Sequence, residues 1–246
     1  MKPKSHTLFH FTKNIEFVKN ILLDGFWPRY CLEDLSWYIF EYDYVAFPMV
    51  CFCDIPLSRI SEHVDFYGEF GVGVTKELAV VDNLNPLSYL AKNSTYCSSV
   101  NNLFKNANYE NGQNGYYEGS GNDLNQILSF LKPLEGKMLL SGSPVDKEFY
   151  QESEWRFVPK KTDVQPWLNK QSYDNTEVLE QYNQKTKELT SLKISPTDIK
   201  YIFVKNDSDI PEIINFIQTQ LDNYSGVELK ILMSRVVSLE SISSDL

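Results

Sequence analysis

The stretch Val45-Ala46-Phe47-Pro48-Met49-Val50-Cys51-Phe52-Cys53-Asp54 is an almost continuous apolar run that ends in an acidic side chain. Its length and its content of β-branched and aromatic residues predict a β-strand. Pro48 cannot donate a hydrogen bond to a neighbouring strand, so it predicts a sheet edge or a bulge. A polar side chain next to a buried strand costs free energy unless it is paired or used.

Two other apolar runs also carry polar side chains. They are Leu8-Phe9-His10-Phe11-Thr12 and Glu152-Ser153-Glu154-Trp155-Arg156-Phe157-Val158. Both predict short strands, and Phe70 to Val74 predicts another after Tyr67-Gly68. Glycines inside that strand indicate close approach by a ligand or a backbone. We expect these segments to converge on one site.

Composition excludes some classes of protein. The chain has 246 residues, of which 42% are hydrophobic and 14% aromatic, enough for a globular core. We predict one domain over residues 1–246. A net charge of −10 disfavours non-specific binding to nucleic acid, which depends on clustered Lys and Arg. The N-terminus lacks a signal segment, and no apolar run could span a membrane, so we expect a cytoplasmic protein.

The cysteines predict no disulfide framework. The four cysteines are Cys31, Cys51, Cys53 and Cys97. Their spacing is neither that of a zinc ribbon nor that of a Cys-x-x-Cys motif. Cys51 and Cys53 share a strand face and fit burial as small apolar groups. A metal site with His63 is the alternative, but it lacks an evident fourth ligand. We expect no metal.

The remaining chain suggests three further elements. Residues 15–22 show helical spacing, with Gly25 as the stop. Residues 93–123 are rich in Asn, Gly, Ser and Tyr and predict a flexible insertion. Residues 197–240 predict a C-terminal β-α-β element, with strands at Ile199 to Lys205 and Val227 to Met233.

Residue chemistry suggests N-glycosidic cleavage of a nucleotide such as NAD. His10 could hold a ribose hydroxyl, and Tyr67 could stack on a heterocycle. Glu154 could steady an oxocarbenium-like centre. Arg29, Arg59 and Arg156 are candidates for the pyrophosphate. The structural alternatives remain open, because His10 could be a core histidine and Glu154 and Arg156 could form an ion pair on one strand face.

The chain resembles the AbiGi family of bacterial abortive phage-resistance proteins. The motifs that carry the resemblance are Leu8 to Thr12, Asp24 to Tyr30, Ala46 to Ser58, Tyr67-Gly68, Asn85 to Leu90 and Glu154-Trp155-Arg156. The resemblance implies the antitoxin half of a two-gene system whose partner is a nucleotidyltransferase-like toxin. A phage or host protein is the other partner that we consider.

The chain is also similar, more distantly, to the ADP-ribosyltransferase fold of the histidine–tyrosine–glutamate class. That resemblance implies catalytic roles for His10, Tyr67 and Glu154. It also implies that NAD is contacted by His10, Thr12, Arg29, Ser58, Arg59, Tyr67 and Arg156. The start His10-x-Thr12 looks like that of DNA-modifying transferases of the DarT group.

We therefore predict an α+β fold of ADP-ribosyltransferase-like type, with mixed or antiparallel sheets and flanking helices. Two functions remain open. The first is an enzyme that transfers or hydrolyses ADP-ribose from NAD. The second is a non-catalytic antitoxin that uses the fold as a binding surface.

Overall fold

The computed structural model describes residues 6–37, 43–107, 110–111, 117–140, 143–161 and 163–243. Its strands are β1 (Thr7–Thr12), β2 (Arg29–Asp34), β3 (Tyr44–Cys53), β4 (Phe70–Thr75), β5 (Asn85–Pro86), β6 (Ser88–Leu90), β7 (Glu110–Asn111), β8 (Tyr117–Glu118), β9 (Leu131–Pro133), β10 (Glu135–Leu140), β11 (Ser143–Glu148), β12 (Glu154–Phe157), β13 (Leu168–Asn169), β14 (Ile199–Val204) and β15 (Val236–Ser238). Its helices are α1 (Ile15–Asp24), α2 (Ile60–Tyr67), α3 (Lys76–Val81), α4 (Thr95–Lys105), α5 (Ser120–Leu128), α6 (Lys170–Asp174), α7 (Thr176–Thr190), α8 (Ile210–Gln220), α9 (Gly226–Met233) and α10 (Leu239–Ser243).

One large sheet organises the chain. Within the described residues it has nine strands, in the order β15-β14-β4-β1-β3-β12-β5, and β2 and β13 also pair with β3. Its pairings are antiparallel except for β14 with β15. The mixed α+β class is confirmed.

Among the described residues the strand β3 is central in the sheet, but Pro48 itself has a paired neighbour on one side only, as an edge position would. The first part of β3 pairs with β2, and its last part pairs with β12. Pro48 itself is in register with Tyr30 of β2. In the described chain no strand pairs with Pro48 on its other side, so a residue without an N–H is tolerated there.

The two faces of the sheet belong to different cores. Leu8 and Phe52 lie in a core that α1 and α8 cover, whereas Phe9 and Cys53 pack with Phe203 on the other face. This division follows from the two-residue period of a strand. A third core lies between β3 and the helices α4 and α5.

The flexible insertion predicted for residues 93–123 is wrong over α4. That helix begins at a Ser94 cap, whose side chain accepts from the Cys97 backbone N–H at 3.1 Å. It buries Cys97, Val100 and Phe104 in the third core. A polar composition concealed the helical spacing of these few apolar residues. Residues 108–109 and 112–116 of the predicted insertion lie outside the described residues.

The strand predicted over Val227 to Met233 is also wrong, because that segment forms α9. Ser225 and Glu228 make a capping box that starts the helix. The strand after α8 is β15, which pairs parallel with β14 at Ile202 and Val236.

The prediction for residues 15–22 is confirmed as α1, with Asn14 as its cap and Gly25 at its end. In the part of the chain that the structure describes, every helix is too short or too polar to cross a membrane.

Candidate functional site

The segments singled out in the sequence meet in the sheet. Strand β3 lies between β1 and β12, and Cys53 is in register with Phe9 on one side and with Glu154 on the other. The sheet thus brings the three polar stretches together. Which side chains share a face decides what they can do jointly.

Glu154 is buried, with 5% of its surface exposed, and both its carboxylate oxygens are engaged. Arg156 Nε donates to Oε1 at 2.7 Å, and Lys132 Nζ donates to Oε2 at 2.8 Å. The backbone N–H of Glu154 donates to the hydroxyl of Tyr89 at 2.8 Å. Two cations therefore hold the carboxylate, and Tyr89 holds the backbone of the same residue.

Arg156 is completely buried and extends this cluster. Its Nη1 donates to the backbone oxygen of Ser129 at 2.6 Å, and its Nη2 donates to Glu33 Oε1 at 2.8 Å. A guanidinium with each nitrogen satisfied by an oxygen is the arrangement that lets a charge remain stable away from water.

A second cluster surrounds Glu152 at the end of a short 3-10 turn, Phe149–Glu152. Tyr67 donates from its hydroxyl to Glu152 Oε1 at 2.7 Å, and Lys147 Nζ lies 2.7 Å from the same oxygen. The ring of His63 lies against that of Tyr67, with centroids 4.3 Å apart. The ring on which a heterocycle was predicted to stack already contacts a histidine.

We call Glu33, Lys132, Lys147, Glu152, Glu154 and Arg156 together the buried ionic network. It has three acidic and three basic members, so its formal charges cancel. The two clusters influence each other, because Glu152 contributes to the raised pKa of Lys132.

The electrostatics of the network hold its groups in their charged forms. Burial alone would raise the pKa of Glu154, but the charges of Arg156 and Lys132 outweigh burial and hold this pKa well below its usual range. The pKa of Arg156 is raised in turn, since Glu154 and Glu33 outweigh the cost of its burial. A carboxylate that stays ionised and doubly paired is poorly suited to proton transfer.

Three groups beside the network have pKa values that are shifted in favour of their neutral forms. Burial, helped by the charge of Lys147, lowers the pKa of His63 to about 3. Burial and the charge of Glu152 raise the pKa of Tyr67. Burial and Glu154 raise the pKa of Cys51 well above its usual range, so this thiol stays protonated. All four cysteines are free.

His10 lies with the other core. Its ring contacts Phe26 and Phe52 at centroid distances of 5.3 and 5.8 Å, and its Nδ1 is 2.8 Å from the backbone oxygen of Cys51. Burial lowers the pKa of His10 despite that hydrogen bond. Alternation along β1 places this side chain on the face opposite to Phe9. Glu154 lies on the Phe9 face, because it pairs with Cys53.

The other predicted NAD contacts are spread over the surface. Arg29 is exposed, lies 3.3 Å from Glu180 and stacks on Trp27. Ser58 and Arg59 are exposed in the 3-10 turn before α2, and Arg59 donates to Gln151 at 2.8 Å. Thr12 is half-buried at the end of β1. Their roles in binding NAD stay predictions, as do those of His10, Tyr67, Glu154 and Arg156.

Sequence reasoning missed Glu33, Lys132 and Lys147 as members of the site. Lys132 did carry a signal, because a charged residue stands between Leu131 and Pro133 in an apolar run. Glu33 and Lys147 lie in polar stretches, and only tertiary contacts single them out. In the described residues, no three His, Cys, Asp or Glu side chains are grouped as metal ligands would be.

The buried ionic network defines a protein with an ion-paired centre inside an α+β fold. A family model described as "Putative abortive phage resistance protein AbiGi, antitoxin" matches residues 24–205. The chain belongs to the AbiGi family.

A curated relative supports that assignment. The chain is 28% identical over 258 residues to a protein of Lactococcus lactis subsp. cremoris named "Abortive phage resistance protein AbiGi". The match covers 90% of this chain and 99% of the relative. No solved structure matches the chain.

Proposed function

We propose that this chain is the antitoxin of an abortive infection system and that it neutralises a protein toxin by binding, without catalysis. The observation that carries the proposal is the state of Glu154. This residue is the carboxylate that the enzyme hypothesis requires, and its two oxygens are bound by the buried Arg156 and the largely buried Lys132.

A carboxylate that stabilises a glycosidic transition state must face the substrate. Glu154 instead faces Lys132 and Arg156, and residues on either side of the predicted insertion contact the pair. Tyr89 contacts the Glu154 backbone, and the Ser129 carbonyl holds Arg156. The interactions of Glu154 are those expected of a buried structural ion pair.

The family description supports an antitoxin role. The partner implied by the family resemblance is a nucleotidyltransferase-like toxin, and a phage or host protein is the alternative. The net charge of −10 favours association with a basic partner surface.

The test titrates the purified chain against its toxin in a toxin-activity assay. An antitoxin that acts by binding neutralises its toxin only when the two proteins are near equimolar, and it forms a complex that survives gel filtration. Neutralisation by far less than one molecule of this chain per molecule of toxin, without a detectable complex, would indicate turnover. That result would contradict the proposal.

The same preparation is assayed for NAD consumption. We expect none from the wild-type chain or from Tyr67→Phe. NAD loss that disappears in Glu154→Gln, with the variant still folded by circular dichroism, would favour the enzyme hypothesis.

A second candidate function is transfer or hydrolysis of ADP-ribose from NAD. The observation that favours it is the register of Phe9, Cys53 and Glu154 across three adjacent strands, which gathers the predicted stretches. In this mechanism Tyr67 would stack on the heterocycle and Glu154 would face the anomeric carbon. His10 was predicted to hold the ribose, but it lies on the opposite face of the sheet and would have to change sides. The covering residues Tyr89 and Lys132 would have to move away first.

Calorimetry with NAD tests this second candidate. Saturable binding that is lost in His10→Ala would support it. A folded protein that binds no NAD would leave the antitoxin function alone.

A further inference from the structure

A cavity of about 370 Å³ lies at the end of the sheet away from the buried ionic network. It spans the start of β1, the start of β14 and the entry to β15, and it shares no residue with the network. Its lining residues are His6, Thr7, Lys200, Tyr201, Ser234, Arg235, Val236 and Val237. The volume is within the range of small-molecule sites, which begins at about 300 Å³.

The charge of the lining is unusual for this protein. Three lining residues carry basic side chains, His6, Lys200 and Arg235, and none carries a carboxylate. The chain as a whole has a net charge of −10. A basic, acid-free concavity on an acidic protein attracts anions locally.

Backbone features position two of these basic side chains, Lys200 and Arg235. The register between β14 and β4 shifts between Ile199 and Tyr201, so Lys200 occupies a bulge. Bulges re-aim a side chain out of the regular alternation. Arg235 donates from Nη1 to the backbone oxygens of Pro196 and Ile199, which anchors its guanidinium beside β14. Within the described residues both of these hydrogen bonds leave from Nη1, so Nε and Nη2 can bind a ligand.

The other walls suit a flat ring. Tyr201 is half-buried, and its ring packs against Phe203 at 5.6 Å, which holds it in place. Gly73 of β4 is in register with Tyr201, and a Cβ there would lie 2.9 Å from the Thr7 methyl group. At Gly73, strand β4 therefore places no side chain beside Tyr201. Val236 and Val237 supply apolar surface beside the ring.

We propose that this cavity binds a small phosphorylated compound with a flat ring, of the class of a nucleoside monophosphate. Lys200 and Arg235 hold the phosphate, and His6 lies beside them. The ring lies against Tyr201 and the two valines. This site is independent of Glu154 and of the toxin-binding function proposed above.

The experiment measures binding of AMP and of inorganic phosphate to the full chain by calorimetry at low salt. Three variants are compared with the wild type. Lys200→Glu reverses a charge in the cavity, and Tyr201→Leu removes the ring but keeps apolar packing. Lys185→Glu makes the same charge change on α7, which packs on β2 at a distance from the cavity.

We expect saturable AMP binding that weakens about tenfold or more in Lys200→Glu, equivalent to about 1.4 kcal/mol. Tyr201→Leu should weaken AMP but leave inorganic phosphate unchanged. Lys185→Glu should bind AMP as the wild type does. The proposal is overturned if the wild type shows no saturable AMP binding, or if Lys185→Glu loses as much affinity as Lys200→Glu. Equal affinity for AMP and inorganic phosphate would overturn the role of the ring.

Discussion

Glu154 and Arg156 stand two residues apart on β12 and bind each other through Oε1 and Nε at 2.7 Å. The two-residue period of a strand puts both side chains on one face. The pair is buried, and Lys132 and Glu33 complete it from other parts of the chain. Glu154, the residue that the enzyme hypothesis makes catalytic, is thus also the centre of a buried group of ion pairs.

Removing the charge of Glu154 should destabilise the fold. In Glu154→Gln, Lys132 and Arg156 lose a buried counter-ion, and such a loss costs about 3–5 kcal/mol. Urea denaturation followed by circular dichroism measures this change. Glu180→Gln is the matched control, because Glu180 is exposed and pairs with Arg29 at the surface. It should cost less than about 1 kcal/mol. Equal effects of the two changes would show that the buried pair contributes no more than a surface pair.

The hydroxyl of Tyr67 should stabilise the fold through its hydrogen bond to Glu152. Tyr67→Phe removes the 2.7 Å hydrogen bond to a buried carboxylate, and hydrogen bonds to charged groups contribute about 1.5–3 kcal/mol. We expect a lower free energy of unfolding by about that amount. Tyr150→Phe, in which the lost hydroxyl is on an exposed residue that accepts from Gln151, should change little. An unchanged stability of Tyr67→Phe would mean that Lys147 alone satisfies Glu152.

Stability should fall between pH 7 and pH 5 because of His63. Its pKa is about 3 in the folded protein, whereas an unfolded histidine has a pKa of about 6.5. The unfolded state therefore binds more protons below about pH 6.5, and the folded state loses stability as pH falls. For this residue the loss is about 2 kcal/mol over that interval.

The variant His63→Gln isolates that contribution. It should flatten the dependence of the unfolding free energy on pH, since no proton is taken up at this position. The control Ile60→Val lowers stability in the same helix without removing a titratable group, so its profile should run parallel to that of the wild type. A His63→Gln profile as steep as the wild-type profile would refute the assignment.

Gly68 should resist substitution. Its φ is +121°, and an added Cβ would lie 2.3 Å from the backbone oxygen of Thr12. Strain of this kind costs about 1–3 kcal/mol, so Gly68→Ala should lower the melting temperature. Gly226 starts α9 with no atom within 4 Å of an added Cβ, so Gly226→Ala should leave stability equal or slightly higher. Loss of stability in both variants alike would contradict this explanation.

Local patterns were enough to predict much of the fold. The apolar runs at β1, β3, β4 and β12 predicted strands, and the spacing in α1 predicted a helix that stops at Gly25. These signals depend on residues that are neighbours along the chain. They failed in α9, where Val227 to Ile231 alternates apolar and charged residues with the period of a strand, and in α4, where few apolar residues decide the packing.

The site was predicted in part. The two-residue spacing of Glu154 and Arg156 was enough to raise the possibility of an ion pair, and the structure shows that pair. The side of the sheet on which His10 lies, relative to Glu154, depends on the register of β1, β3 and β12. That register is set by contacts between distant segments.

By itself the sequence determined the local elements, the acidic surface and the family to which the chain belongs. Tertiary structure alone decided that Lys132 and Glu33 neutralise the site and that His10 faces another core. The physical reason is that a buried charge is stable only with partners, and its partners come from wherever the fold brings the chain together.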